Sequence, residues 1–219
     1  TQVFAGALAI SNGAALGTTV GATVVASGAA LQVSGGITSN EPLFVAGFGA
    51  GAPTGVLRNI SGTNILGGAV TLGADSLFGS DAGTLTLGGA VSSANYALTL
   101  SGNGDLVLSG AVSLGTAGLT KSGLGVATLG AANSFSGATV VTAGALRLAH
   151  ADALGTSSAL TVAAGAGLQL AGGITYLGIN ATSPLLQNIS GNNAWSVALR
   201  PTNGGALTLR SDAGVLTLN

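Results

Sequence analysis

The chain has 219 residues, of which 39 are glycine, and it contains neither cysteine nor methionine. Only 5% of its residues are charged, against about 25% in an ordinary globular protein, and the formal net charge is −1. This charge balance excludes the basic surface that a nucleic-acid-binding protein needs, and the lack of cysteine excludes a fold held together by disulfides. The apolar stretches, such as 20–33, are interrupted by Gly, Thr and Ser, so we expect no transmembrane helix.

A long internal repeat begins near residue 5. The stretch AGALAISNGAALGT, starting at Ala5, returns 138 residues later as AGALRLAHADALGT, starting at Ala143. Further matches relate about 5–87 to 143–218. We predict one continuous domain over 1–219 that covers about one and a half copies of a unit of roughly 135 residues. Since the chain opens without a signal peptide, we expect a mature or excised segment of a longer tandem array.

The two copies differ in length at segment 39–58. The offset between matching residues falls by eight across this segment, which holds two prolines and two phenylalanines. We predict a loop here that leaves the regular structure. Its candidate interaction residues are Pro42, Phe44, Phe48 and Pro53, because exposed aromatic side chains supply much of the contact energy at binding surfaces.

A shorter repeat of 21 residues follows. Gly-Ala-Val recurs from Gly68, Gly89 and Gly110, and LTLGGAV from Leu85 matches LVLSGAV from Leu106. Within each copy the leucines are two residues apart, which places them on one face of a strand. One such strand cannot bury that face alone, whereas stacked turns align equivalent leucines in a continuous core.

These patterns predict an all-β parallel β-helix, a solenoid of roughly 10 rungs of about 21 residues. The dense glycines and β-branched runs such as 139–142 disfavour helix. Glycine, asparagine and serine suit the sharp corners of a coil, since they tolerate positive φ angles. With ~4.8 Å between stacked strands, the rod is expected to be on the order of 50 Å long.

Residues 119–148, LTKSGLGVATLGAANSFSGATVVTAGALRL, resemble the passenger-associated β-strand repeat of bacterial autotransporters. Phe135 stands where that family usually has tyrosine. The resemblance implies a right-handed parallel β-helix that is secreted or displayed at the bacterial cell surface, with neither a catalytic site nor a fixed ligand. The residues on repeat-defining positions are Lys121, Asn133, Phe135, Ser136, Gly137, Ala143 and Gly144.

The sequence contains few residues that could act in catalysis or bind a metal ion. His150 and Asp152 are the one His–Asp pair close in sequence, and no third ligand or nucleophile accompanies them. Asp81 and Asp212 occupy the same repeat position, SDAG, which is typical of a turn-capping aspartate. Asp105 precedes a strand and is expected to be another turn residue. We therefore predict no catalytic residue, no cofactor and no metal site.

Two further expectations concern single side chains. Lys121 aligns with Leu100 of the preceding turn, so its stem is expected on the core and its ammonium in water. The alternative is a buried, paired lysine, although the neighbouring turn offers no obvious carboxylate. Asn59, Asn180 and Asn188 each satisfy the Asn-x-Ser/Thr pattern of glycosylation acceptors.

The sequence as a whole predicts a structural segment of an extracellular fibre or giant repeat adhesin, whose rods associate with one another end to end or laterally. Low net charge favours such association. The alternative is an adhesin module that binds a surface glycan or host receptor through 39–58. A β-helical hydrolase would need clustered carboxylates, and the sequence suggests none. We expect no enzyme activity and a location outside the bacterial cell.

Overall fold

A computed structural model describes residues 1–51, 54–201 and 205–219. These residues form short β-strands joined by turns and contain no helix, so the all-β prediction is confirmed. Within these ranges there is accordingly no helix that could cross a membrane.

The strands follow one another at short intervals along the whole chain. The first nine are β1 (Gln2–Val3), β2 (Gly6–Ile10), β3 (Thr23–Val25), β4 (Ala29–Val33), β5 (Thr38–Ser39), β6 (Leu43–Gly47), β7 (Leu57–Asn59), β8 (Thr63–Leu66) and β9 (Val70–Ser80). The next nine are β10 (Thr84–Leu87), β11 (Val91–Ser92), β12 (Leu98–Gly102), β13 (Asp105–Leu108), β14 (Val112–Ser113), β15 (Leu119–Lys121), β16 (Val126–Leu129), β17 (Thr139–Val141) and β18 (Ala145–Leu148). The last nine are β19 (Leu160–Val162), β20 (Gly167–Ala171), β21 (Thr175–Tyr176), β22 (Ala181–Thr182), β23 (Leu185–Ser190), β24 (Asn193–Trp195), β25 (Leu199–Arg200), β26 (Thr208–Ser211) and β27 (Leu216–Leu218).

The coil passes through three sheets in a constant order, although its first turn has no strand on sheet 3 and the turns that contain β17 and β19 have none on sheet 1. Sheet 1 contains β1, β3, β6, the first part of β9, β11 and β14, and β21, β24 and β27 take the same place in later turns. Sheet 2 contains β2, β4, β7, the second part of β9, β12, β15, β17, β19, β22 and β25. Sheet 3 contains β5, β8, β10, β13, β16, β18, β20, β23 and β26. Counted from β1, these strands make about ten turns, which confirms the predicted solenoid.

Parallel pairing between neighbouring turns aligns equivalent side chains along the rod. Leu85 of β10 lies opposite Leu106 of β13, and Leu98 of β12 lies opposite Leu119 of β15, each pair 21 residues apart. All four leucines are buried, whereas Thr86 between two inward leucines is partly exposed. Burying a leucine contributes roughly 1.5–3 kcal/mol, so the aligned leucine columns are the main source of stability.

The prediction that all of 39–58 is a loop was too broad. β6 lies inside this segment and pairs with β3 on one side and β9 on the other. Leu43 and Val45 of β6 are buried in the core, because the strand keeps the inward–outward alternation of its neighbours. The excursion is therefore confined to residues between β6 and β7.

The part of the excursion that the structure describes folds back onto sheet 2. A Cβ atom on Gly79 would overlap the carbonyl oxygen of Thr54, and one on Gly55 would come within 3.3 Å of Leu77. The excursion thus covers Leu77, an outward position of β9 that is only 8% exposed.

Sequence-equivalent strands of the long repeat lie on different sheets. β2 belongs to sheet 2, and its sequence equivalent β18 belongs to sheet 3. After β2 the coil passes through six more strands of sheet 2, the last of which is β17, and then reaches β18 on sheet 3. The distance from β2 to β18 is therefore six and a third turns. The same shift separates β4 from β20 and β7 from β23, so the second copy is rotated by a third of a turn about the rod axis.

We predict that Leu106→Ala lowers the free energy of unfolding by about 2–5 kcal/mol, since it opens a cavity in a leucine column. The matched control is Val107→Ala on the outward side of the same strand, which should cost less than about 1 kcal/mol. Urea unfolding followed by circular dichroism compares the two variants. Equal losses would contradict the inward–outward assignment of β13.

Candidate functional site

Lys121 is buried inside the coil with its ammonium group fully hydrogen-bonded. Its side chain is 1% exposed, and Nζ donates to the carbonyl oxygens of Ser122 at 2.8 Å, Gly123 at 2.8 Å and Ala143 at 3.3 Å. The predicted contact of this ammonium with water was therefore wrong. Three main-chain carbonyls at one corner match the three N–H donors of a lysine, so the group can stay inside.

Burial sets the acidity of this ammonium. Desolvation lowers the pKa of Lys121 from its ordinary 10.5 to about 8, and the nearby Asp105 carboxylate partly opposes that shift. Asp105 itself accepts a hydrogen bond from the amide of Val126 at 2.9 Å, as expected for a turn residue.

Asn133 joins three successive turns. Its Oδ1 accepts from the amide of Val112 in the turn below at 2.7 Å, and its Nδ2 donates to the carbonyl of Ala153 in the turn above at 2.5 Å. Here "below" means toward the N-terminal end of the rod. We call Lys121 and Asn133 together the middle clamp.

The remaining repeat-defining residues also lie within the coil or at its tight corners. Phe135 is fully buried in the core. A Cβ on Gly137 would overlap the main chain of Ala117, so no larger residue fits there. Gly144 has a φ of +64°, a conformation that side chains rarely adopt. The repeat-defining residues thus shape the coil and do not form an outward-facing site.

A similar arrangement, the lower clamp, consists of Asn59 and Asn64. Nδ2 of Asn59 donates to Ser80 Oγ at 3.0 Å and to the carbonyl of Ala82 in the turn above at 2.9 Å. Oδ1 of Asn64 accepts from the amide of Ile37 in the turn below at 2.8 Å. The two asparagines also bind each other, since Nδ2 of Asn64 donates to Oδ1 of Asn59 at 2.5 Å.

The upper clamp consists of Asn188 and Asn193. Nδ2 of Asn188 donates to Ser211 Oγ at 3.0 Å and to the carbonyl of Ala213 at 2.8 Å. Oδ1 of Asn193 accepts from the amide of Ile174 at 2.6 Å, and Asn193 also donates to Asn188. The lower and upper clamps therefore have the same partners at equivalent positions of the long repeat.

Sequence reasoning missed the second asparagine of these two clamps, although a signal was present. The matching stretches NISGTN and NISGNN start at Asn59 and Asn188, and each ends with this second asparagine, which is Asn64 or Asn193.

Two of the three predicted glycosylation acceptors are buried, because the side chains of Asn59 and Asn188 are inaccessible. Of the three acceptor patterns, the one at Asn180 lies on an exposed residue.

The predicted interaction residues lie in and beside β6. Phe44 is 41% exposed on the outward side of sheet 1, where its ring covers Gly73, and Phe48 is 47% exposed just after the strand. Pro42 is half-buried at the corner before β6. Pro53 lies outside the described residues. Two aromatic rings are thus available on this surface, and a ligand for them stays a prediction.

The acidic residues considered for chemistry are dispersed, and two of them pair with arginines. Asp81 pairs with Arg58 at 2.6 Å, and Asp212 pairs with Arg210 at 2.6 Å. The amide of Asp152 donates to Nδ1 of His150 at 3.0 Å, a local turn contact on the surface. Across 1–51, 54–201 and 205–219 there is no group of three or more side chains that could hold a metal ion.

The fold and these contacts define a parallel β-solenoid repeat protein. The Passenger-associated-transport-repeat family, an autotransporter passenger repeat, matches residues 119–148, which span β15 to β18 and contain the middle clamp. No curated protein and no solved structure matches the chain. The resemblance stated from the sequence is thereby confirmed for this segment, and the fold fits an autotransporter passenger segment.

We predict that the stability of the coil rises with pH through the range in which Lys121 titrates. Between pH 8 and 10.5 the unfolded chain binds a proton that the folded chain has released, so raising the pH favours the folded state. Urea unfolding at several pH values should show this rise in the native chain and not in Lys121→Met. Tyr176, whose pKa burial raises, is present in both chains and cancels in the comparison. Parallel pH profiles would contradict the prediction.

We predict that Asn133→Ala lowers the free energy of unfolding by about 2–4 kcal/mol, because it leaves a buried amide and a buried carbonyl without partners. Ser134→Ala, at the exposed neighbouring position, is the control and should change stability by less than about 0.5 kcal/mol. Urea unfolding measures both. A cost for Asn133→Ala as small as that of the control would show that the clamp contributes no stability.

Proposed function

We propose that the chain is a structural segment of a bacterial cell-surface or extracellular fibre, or of a giant repeat adhesin, and that its rods pack against one another. The observation that carries this proposal is the placement of the repeat-defining residues. Lys121, Asn133 and Phe135 are buried and hold turns together, so the matched repeat serves to build a rod. Secretion or surface display accords with the matched family.

An uncharged stripe on sheet 2 supports lateral packing of two copies. Its residues lie opposite one another in five successive turns, on outward positions that are half-buried or exposed. The stripe ends at Arg200, which lies opposite Thr182 in the next turn, whereas the corresponding column of sheet 3 carries Arg147 in its middle, among these five turns. Without charges, the desolvation cost of contact is low. The stripe consists of Thr99, Thr120, Val140, Thr161 and Thr182.

We predict that Thr120→Lys with Thr161→Lys disperses the assemblies, because like charges would then face each other across the contact. Ile65→Lys with Val107→Lys adds the same charge on sheet 3, also two turns apart and not opposite Arg147, and is the matched control. Sedimentation velocity over a range of concentrations, with electron microscopy, compares both with the native chain. A native chain that stays monomeric at high concentration would contradict the proposal.

The absence of catalysis is part of this proposal. The carboxylates of Asp81 and Asp212 are neutralised by arginines, and that of Asp105 binds a main-chain amide. None of these pairs combines a free carboxylate with a neighbouring acid across a cleft, as glycoside hydrolysis would need.

The second candidate function is adhesion through the surface around β6, to a glycan or a protein receptor. The observation that favours it is the exposure of Phe44 and Phe48 beside the one excursion that lengthens the first copy of the repeat. Aromatic rings stack on the apolar faces of sugars and anchor protein interfaces.

We predict that Phe44→Ala with Phe48→Ala abolishes adhesion to host cells or immobilised glycans and leaves the coil folded. Leu124→Ala removes an even more exposed apolar side chain, 74% exposed, from a corner elsewhere and is the control. Cell-binding assays and circular dichroism read the two effects separately. Unchanged adhesion of the double variant would eliminate this function.

A further inference from the structure

We propose that the three clamps determine the register of the coil, that is, which residue of one turn lies opposite which residue of the next. In this role the clamps select one pairing of neighbouring turns among several. The proposal does not depend on whether the rod serves as a fibre or as an adhesin. The middle clamp, within the matched repeat, offers the clearest case.

Hydrophobic alternation alone leaves the register of this coil underdetermined. A slip of one residue would turn the leucines outward, but a slip of two residues keeps every side chain on its own face. The parallel main-chain ladder also repeats every two residues. In a chain of small residues such as Thr139-Val140-Val141-Thr142, a two-residue slip costs little in packing.

The middle clamp penalises such a slip strongly. Moving one turn by two residues displaces a bonding partner by about 6.6 Å, well beyond hydrogen-bonding distance. Lys121 would lose the carbonyl of Ala143 in the turn above, and Asn133 would lose its partners in both adjacent turns. A buried ammonium or amide without partners is far more costly than a poorly packed methyl group.

The three clamps bond to their neighbouring turns in the same way, although the two asparagines of the lower and upper clamps also bond to each other, whereas Lys121 and Asn133 lie at different corners. In each, an asparagine oxygen accepts an amide proton from the turn below, and a second side chain donates to a carbonyl of the turn above. The lower clamp lies in the third turn, the middle clamp in the sixth and seventh, and the upper clamp in the ninth and tenth. The clamps are spaced by about three turns along the rod. A change of register between any two of them would therefore break the hydrogen bonds of a clamp.

Engineered cysteine pairs can read the register directly, because the native chain has no cysteine. Thr120 of β15 lies opposite Val140 of β17 in the native pairing. Thr120→Cys with Val140→Cys should therefore form a disulfide on mild oxidation. Thr120→Cys with Thr142→Cys reports a two-residue slip, since these positions are too far apart to bridge in the native coil.

We expect the native pair alone to cross-link in the otherwise unchanged chain. In Lys121→Met, which keeps the volume of the stem, the slipped pair should cross-link at least several-fold more and the native pair correspondingly less. Asn133→Ala, which retains Lys121, is a second variant read by the same pairs. Leu106→Ala, destabilised elsewhere in the core, is the control and should keep the native cross-link.

Two results would overturn the proposal. One is a native cross-link retained in both clamp variants, or a slipped cross-link of equal yield in Leu106→Ala. The other is loss of the folded coil in both clamp variants while Leu106→Ala still folds, because the clamps would then supply stability without selecting a register.

Discussion

The structure depends on hydrogen bonding between the main chains of neighbouring turns. Strands on three sheets satisfy most of these groups by parallel pairing, but every corner turns amides and carbonyls out of that pattern. A buried main-chain group without a partner costs about 1–3 kcal/mol, so each corner needs its own solution. At most corners glycine brings the turns close enough for direct contact, as Gly137 does. At the clamps, a lysine or an asparagine side chain replaces the missing main-chain partner.

This constraint explains why the chain is so uniform in composition. A narrow coil has room for one layer of inward side chains, and leucine or valine in every turn fills it. Charged residues are excluded from the narrow interior unless they have partners, and few stand on the outward faces. Some of the remaining charges are paired on the surface, as Arg58 is with Asp81. Two others are buried: Lys121 is enclosed by carbonyls, and Glu41 accepts a hydrogen bond from Thr23 at 3.1 Å. Such a composition is suited to a long and regular coil.

The fold could be predicted from the sequence because its signal repeats. Leucines two residues apart that recur after 21 residues, as in β10 and β13, are enough to predict stacked parallel strands. The environments of single side chains are harder to predict. The environment of Lys121 depends on where carbonyls of two different turns point, and the sequence does not show that direction. The sequence predicts a loop over the whole of 39–58 because its prolines and phenylalanines obscure the alternation of Leu43 and Val45. In the structure these two residues pair with strands on both sides.

Amide hydrogen exchange tests the central claim, that side chains complete the main-chain hydrogen bonding between turns. The amides of Ile37, Val112 and Ile174 bind asparagine oxygens and no main-chain carbonyl. The account predicts that these three amides exchange as slowly as those of the buried core strands. Exchange at the rate of exposed turn amides would contradict it, because the corners would then be open to water and the clamps absent in solution.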